Sequence, residues 1–171
     1  MAEGILFGKQ KVLLFRRFAD RAKGVDGTKL VFQVDHTFTY NRELDRIQTK
    51  DGVIVKVGGL EAEVPIEALQ SKDDPTADML KESVLKGEKL ELWEVTIDED
   101  LKDEEGRYPA VYAQGYLDSW EIGANVEDES TVSSNFIVEM VPQEGFTALS
   151  EDQEEAVQYA FVEAVGTPPE A

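Results

Sequence analysis

The chain has no cysteine among its 171 residues, which excludes a disulfide framework, a thiol nucleophile and any thiolate-ligated metal. It has one histidine, His36. There is therefore no histidine pair for zinc, and a Ser-His-Asp arrangement would have to run through His36 without a nucleophile-elbow sequence beside it. Phosphate-loop and dinucleotide fingerprints are missing as well. No apolar run approaches the ~20 residues that span a bilayer. The start, Met1-Ala2-Glu3, carries no basic region, and Ile5-Leu6-Phe7 is too short for a leader core. The expectation is a chain with no catalytic, cofactor-binding or metal residues, made in a reducing cytoplasm and not inserted in a membrane.

Positive charge is scarce and confined. The net charge is −19; residues 1–60 hold 11 Lys/Arg against 7 Asp/Glu, and residues 61–171 hold 6 against 29. A chain this acidic repels nucleic acid on average, which argues against binding by phosphate neutralisation. The asymmetry, +4 against −23, has the form of a basic end that meets an acidic end of another copy, a head-to-tail arrangement that yields rings or filaments. The plainer reading of the same charge is solubility. The acidic run from Asp98 to Gly106 invites comparison with a calcium loop, but Lys102 occupies the third ligand position and glycine is absent from the sixth. It reads as a solvated loop.

What the chain does have is strand alternation. At 42% hydrophobic content, residues 1–171 are expected to form one domain with a real core. Residues 37–57 read as a long β-hairpin arm. Phe38, Tyr40 and Leu44 share one side, Thr37, Thr39, Asn41 and Glu43 the other. The polar stretch 45–50 is expected at the tip, with Asp51-Gly52 turning the chain into Val53-Ile54-Val55-Lys56-Val57. Such an arm cannot bury itself and calls for a partner, here another copy.

The rest follows in order. Strands are expected over 10–17 and 29–34, around a turn at Gly24-Val25-Asp26-Gly27. Gly58-Gly59 breaks the pattern before the clearest alternation, Leu60, Ala62, Val64 and Ile66 against Glu61, Glu63 and Glu67. Pro65 cannot donate to a ladder, which predicts an edge or a bulge. Asp73-Asp74-Pro75 opens a helix that Gly87 closes, with Ala77, Leu80 and Val84 on its apolar stripe. Strands are then expected over 88–97, over 108–122 with an interruption at Gly115, and over 131–141, the last two forming a second hairpin. In the last, Val132, Phe136, Val138 and Met140 share a face opposite Thr131, Ser133, Asn135 and Glu139. Pro142-Gln143-Glu144-Gly145 is expected to end the sheet. Ser150 and Gln153 form a capping box for a C-terminal helix, with a strand over 157–162 as the alternative, and 165–171 is a tail.

Several ordered motifs resemble the major tail protein (tail tube protein) of long-tailed, non-contractile bacteriophages. They are Tyr40-Asn41-Arg42-Glu43-Leu44-Asp45 with Thr49-Lys50-Asp51-Gly52, then Gly87-Glu88-Lys89-Leu90-Glu91-Leu92-Trp93-Glu94-Val95 and Gly115-Tyr116-Leu117-Asp118-Ser119-Trp120-Glu121. Asn125-Val126-Glu127-Asp128, Pro142-Gln143-Glu144-Gly145 and Leu149-Ser150-Glu151-Asp152-Gln153-Glu154-Glu155-Ala156-Val157-Gln158-Tyr159 complete the set.

The resemblance implies a mainly β fold with one or two flanking helices, a β-sandwich/barrel-like tail tube domain with the arm projecting from it. It further implies hexameric rings stacked into a hollow tube in the virion tail, built in the host bacterial cytoplasm. Such a tube encloses the tape-measure protein, meets tail terminator and distal tail proteins, and conducts DNA without specific binding. On that reading Arg42, Glu43, Asp45, Arg46, Lys50 and Asp51 contact the adjacent ring. Some of Glu61, Glu63, Glu121 and Glu139 line the lumen, where an acidic wall lets DNA slide. The alternatives are a ring-forming tube protein of a secretion or tailocin system, and an acidic monomeric protein-binding module.

Overall fold

The computed structural model describes residues 4–150 and Gln153. Nine strands and one α-helix follow in the order β1 (Lys11–Arg17), β2 (Thr28–Lys29), β3 (Gln33–His36), β4 (Thr39–Thr49), β5 (Gly52–Leu69), α1 (Pro75–Lys86), β6 (Leu90–Thr96), β7 (Tyr108–Leu117), β8 (Glu121–Gly123) and β9 (Thr131–Thr147). All strands join one antiparallel sheet ordered β2-β1-β6-β7-β9-β5-β3, with β4 beside β5 and β8 beside β9. The sheet curls into a half-barrel.

Its two margins meet through one side chain. The Gln33 amide on β3 accepts from the Leu13 N–H of β1 at 3.0 Å and donates to the Leu13 carbonyl at 2.8 Å. A side-chain amide here substitutes for a missing backbone partner, sparing β1 two unsatisfied groups.

The core forms on one sheet face, from Leu13, Phe15, Val64, Leu90, Leu92 and Phe136, with Leu80 of α1 lying over them. Each such side chain contributes roughly 1.5–3 kcal/mol on full burial. Helix α1 is held to this face at its start. The Asp74 carboxylate caps it, accepting from the Thr76 N–H at 3.1 Å with one oxygen and from the Val31 N–H at 3.0 Å with the other. Gly87 ends it at φ 68°, the left-handed conformation that glycine takes without strain. A smaller cluster, Leu14, Val95 and Tyr108, lies on the opposite face.

Several expectations need correction. The predicted strand over 29–34 is two short strands, β2 and β3, separated by a turn in which Phe32 has φ 56°. The Val31 N–H there serves Asp74 instead of a ladder. The arm does not open into a loop over 45–50. β4 runs to Thr49, which pairs with Gly52 around a two-residue turn of Lys50 and Asp51. Gly58-Gly59 does not interrupt β5 but forms a bulge opposite Glu43. A Cβ on Gly58 would lie 3.0 Å from the Glu43 Cβ, which explains the glycine.

Pro65 sits neither at the sheet's edge nor in a bulge of its own strand. Its carbonyl accepts from Thr37 in the gap between β3 and β4, so the N–H it lacks would have pointed into that same gap. The 108–122 strand is interrupted at residues 118–120 rather than at Gly115. Trp120 packs on the core there, so Leu117 and Glu121 end up on opposite faces. A Cβ on Gly115 would come within 1.9 Å of the Ile137 carbonyl oxygen; this glycine allows β7 and β9 to approach.

β9 does not stop at Val141. It runs through Pro142 to Thr147, paired with β7 as far as Tyr108↔Thr147. Its register shifts between Gln143 and Glu139, and Met140 in the shift has φ 63° and is 84% exposed. Met140 therefore does not share the buried face. The predicted capping box is present: Ser150 N–H donates to Gln153 Oε1 at 2.8 Å, and Gln153 N–H to Ser150 Oγ at 3.2 Å. The remainder of the predicted C-terminal helix, the alternative strand and the tail lie outside the described residues.

Candidate assembly surfaces: the acidic sheet face and the arm

Residues directly opposite one another on neighbouring strands point to the same side of a sheet, so the register assigns every side chain a face. Ala62, Val64, Ile66 and Ala68 of β5 are buried on the core face. The residues between them look the other way. Glu63 stands opposite Ile137 and Thr39, and Glu61 opposite Asn41. Glu121 pairs with Ser133, and Ser133 with Glu67. Glu139 pairs with Gln114. All four candidate lumen acids thus lie on one face of the sheet, opposite the side covered by α1, with Glu67 as a fifth. Asn135 donates to Glu63 at 3.2 Å, and Lys89 pairs with Glu139 at 3.0 Å. Glu61 and Glu121 are exposed to solvent.

The arm is a two-stranded ribbon whose side chains are almost all exposed. Asp45 stands opposite Lys56 and Arg46 opposite Val55. Arg42 donates to the Gly58 carbonyl at 3.2 Å beside the bulge. Lys50 and Asp51 form the turn, where Thr49 Oγ1 accepts from the Asp51 N–H at 3.2 Å and donates to the Gly52 carbonyl at 2.6 Å. Arg42, Glu43, Asp45, Arg46, Lys50 and Asp51 therefore belong to one projecting element but do not converge into a pocket.

Two carboxylates absent from the sequence-derived candidates are buried in the sheet, Glu91 and Glu94. Glu91 is 1% exposed, paired with Arg16 at 2.8 Å and accepting from the Tyr112 hydroxyl through its other oxygen. Arg16 also stacks over Trp93, 5.0 Å from the ring centre. Burial, aided by the neighbouring Glu91, holds the Tyr112 hydroxyl above the usual phenol range. Glu94 lies 2.7 Å from His36 Nε2 and 3.4 Å from Lys11. Burial works to raise its pKa, but the hydrogen bond to His36 and the charge of Lys11 together leave it below the usual carboxylate value. His36 thus ties the base of the arm to β6 instead of standing free.

With Tyr40, Val111 and Glu144, this pair lines an open cleft of about 830 Å³. Among the described residues no group of three His, Asp or Glu side chains is placed to hold a metal ion. The sequence signal for Glu91 and Glu94 is two glutamates in a strand otherwise as apolar as Leu90, Leu92 and Val95. It becomes legible once β1 is paired to β6, which sets Arg16 against Glu91.

A sheet with one face packed under a helix, the other acidic, and a ribbon extending beyond its own core is built to be completed by neighbours. The family model described as phage tail tube protein matches residues 6–144, and the chain belongs to that family. It is 25% identical over 142 residues to a putative tail protein of Staphylococcus phage phiMR25, covering 82% of this chain and 72% of the relative. Its fold is similar to the SPP1 tail tube subunit, with a TM-score of 0.75 and 20% identity over 98% of this chain and 96% of that one. It is also similar to the tail of a gene transfer agent particle with C6 symmetry, with a TM-score of 0.62 and 14% identity over 84% of this chain and all of the other.

Proposed function

We propose that six copies of this chain close into a ring, that rings stack into the hollow tube of a bacteriophage tail, and that the acidic sheet face lines the bore. The observation that carries this reading is the convergence of Glu61, Glu63, Glu121 and Glu139 on the face that α1 leaves uncovered. A bore lined by carboxylates repels phosphate and leaves DNA free to slide, and it demands no base recognition. The six-fold ring is supported by the C6 symmetry of the gene transfer agent tail to which the fold is similar.

The role is structural rather than enzymatic, and the protein resides in the virion tail. The tube's cargo before ejection is the tape-measure protein, and its two ends meet the terminator and distal tail proteins. The arm contacts the adjacent ring. Because the two edges of the ribbon lack strand partners among the described residues, stacking completes what folding leaves open.

Negative-stain microscopy of the concentrated purified protein tests this directly. Rings and tubes with a central bore are expected. Featureless particles at high concentration would identify an acidic monomeric binding module instead.

A further inference from the structure

The arm carries two chemically different faces, and the uninterrupted alternation of β4 keeps them apart. On one side lie Arg42, Leu44 and Arg46, directly opposite Leu60, Val57 and Val55 of β5. Leu44, Val53, Val55 and Val57 are each more than half exposed. This side continues the core face of the sheet, because Tyr40 pairs with the buried Ala62. Its charged side chains are both arginines. On the other side lie Glu43 and Asp45, in line with Thr39 and Asn41, which stand opposite Glu63 and Glu61. Lys56 faces Asp45 on that side, and toward the tip the exposed Ile47 faces Ile54; what separates the two faces is the sign of the acids and arginines they carry.

We propose that the arginine–valine face of the arm is the surface that docks on a second copy of this chain, and that the Glu43–Asp45 face continues the acidic wall of the bore. The proposal rests on the tube reading above and divides the arm's charged residues between two tasks. The occupant follows from charge: the described residues 108–150 contain 7 Asp/Glu and no Lys or Arg. A second copy thus offers an acidic surface that a face bearing only arginines complements. Exposed valines and leucine supply the apolar area that such an interface needs at its centre. The reverse orientation would set Glu43 and Asp45 against an acidic neighbour, a like-charge contact of the kind that specific interfaces avoid.

Three double variants of the full chain separate the faces: Arg42→Glu with Arg46→Glu, Glu43→Gln with Asp45→Asn, and Arg42→Lys with Arg46→Lys. Each is checked for an unchanged thermal melt and then scored for tube yield and length by negative-stain microscopy. Arg42→Glu with Arg46→Glu is expected to cut tube yield by ~10-fold or more. The Gln/Asn pair is expected to leave yield within ~2-fold of the parent, and the lysine pair to retain tubes even if the reversed pair folds poorly. Equal losses from the arginine reversal and the Gln/Asn pair, or loss from the Gln/Asn pair alone, would overturn the division of faces while leaving the tube reading intact. Failure of the unmodified chain to form tubes would remove the tube reading and this inference together.

Discussion

The strand β5 passes through two different worlds. Over residues 62–69 its alternate side chains, Ala62, Val64, Ile66 and Ala68, are buried on the core face of the curled sheet. Over residues 52–57 an equally regular alternation places Val53, Val55 and Val57 in solvent, Val57 at 64% exposure. Binary pattern states that a face expects cover; it does not say which chain provides it. In the body the cover comes from the facing strands of the curled sheet together with α1, held by the Asp74 cap, whereas among the described residues nothing covers the arm. An isolated two-stranded ribbon is marginal in water, so on the proposed reading the arm's stability comes with tube assembly and the body's with the monomer. The bulge of Gly58-Gly59 against Glu43 marks the boundary.

This contrast predicts that equivalent changes have unequal effects. A pair of glycine substitutions should show it most strongly. Gly115→Val, whose Cβ would meet the Ile137 carbonyl at 1.9 Å, is expected to destabilise the monomer by ~3 kcal/mol or more, read from chemical denaturation or lost soluble yield. Gly59→Ala in the arm meets no atom within 4 Å and should leave the unfolding midpoint nearly unchanged. Comparable losses from the two would dissolve the distinction between body and arm.

Glu91→Ala should come next. It leaves the Arg16 guanidinium, whose side chain is 17% exposed, without its carboxylate, at a cost of ~3–5 kcal/mol. Arg46→Ala on the arm should instead leave denaturation midpoints unaffected and reduce assembly. Gln33→Ala, which strips both bonds from Leu13, should cost ~1–3 kcal/mol and speed hydrogen exchange in β1.

A smaller effect is expected from acid. The pKa of Glu94 is lowered in the folded chain from an ordinary value of 4.5. Its contribution is therefore fully present above that pH and is lost as the pH falls through the depressed folded value. Glu94→Gln should flatten the acid limb of the stability profile below pH 4.5. The smallest change should come from Val55→Thr, within ~0.5 kcal/mol for the monomer but with fewer or shorter tubes.

Local chemistry made much of this architecture legible. Asp74-Pro75 and Gly87 bracket α1 because a cap, a fixed φ and a left-handed exit are properties of single residues. The alternation from Leu60 to Ala68 sorted the acids from the core, since period two is a local rule. What could not be read depended on partners far along the chain. Pro142 appeared to end β9, yet the register shift around Met140 accommodates it and β7 continues to pair beyond it. Val31 left its ladder because Asp74, 43 positions later, takes its N–H. Glu91 and Glu94 look misplaced in an apolar strand until β1 brings Arg16 and Lys11, and β3 brings His36, to meet them. The arm's existence was visible, but the tight Lys50-Asp51 turn was obscured by the run of charge before it.

A helical reconstruction of tubes assembled from the purified chain addresses the central claim most directly. The account predicts six subunits per ring, Glu61, Glu63, Glu121 and Glu139 turned toward the bore, α1 on the outside, and each arm laid on the adjacent ring. A tube with α1 facing the bore and those four acids on its outer wall would contradict it.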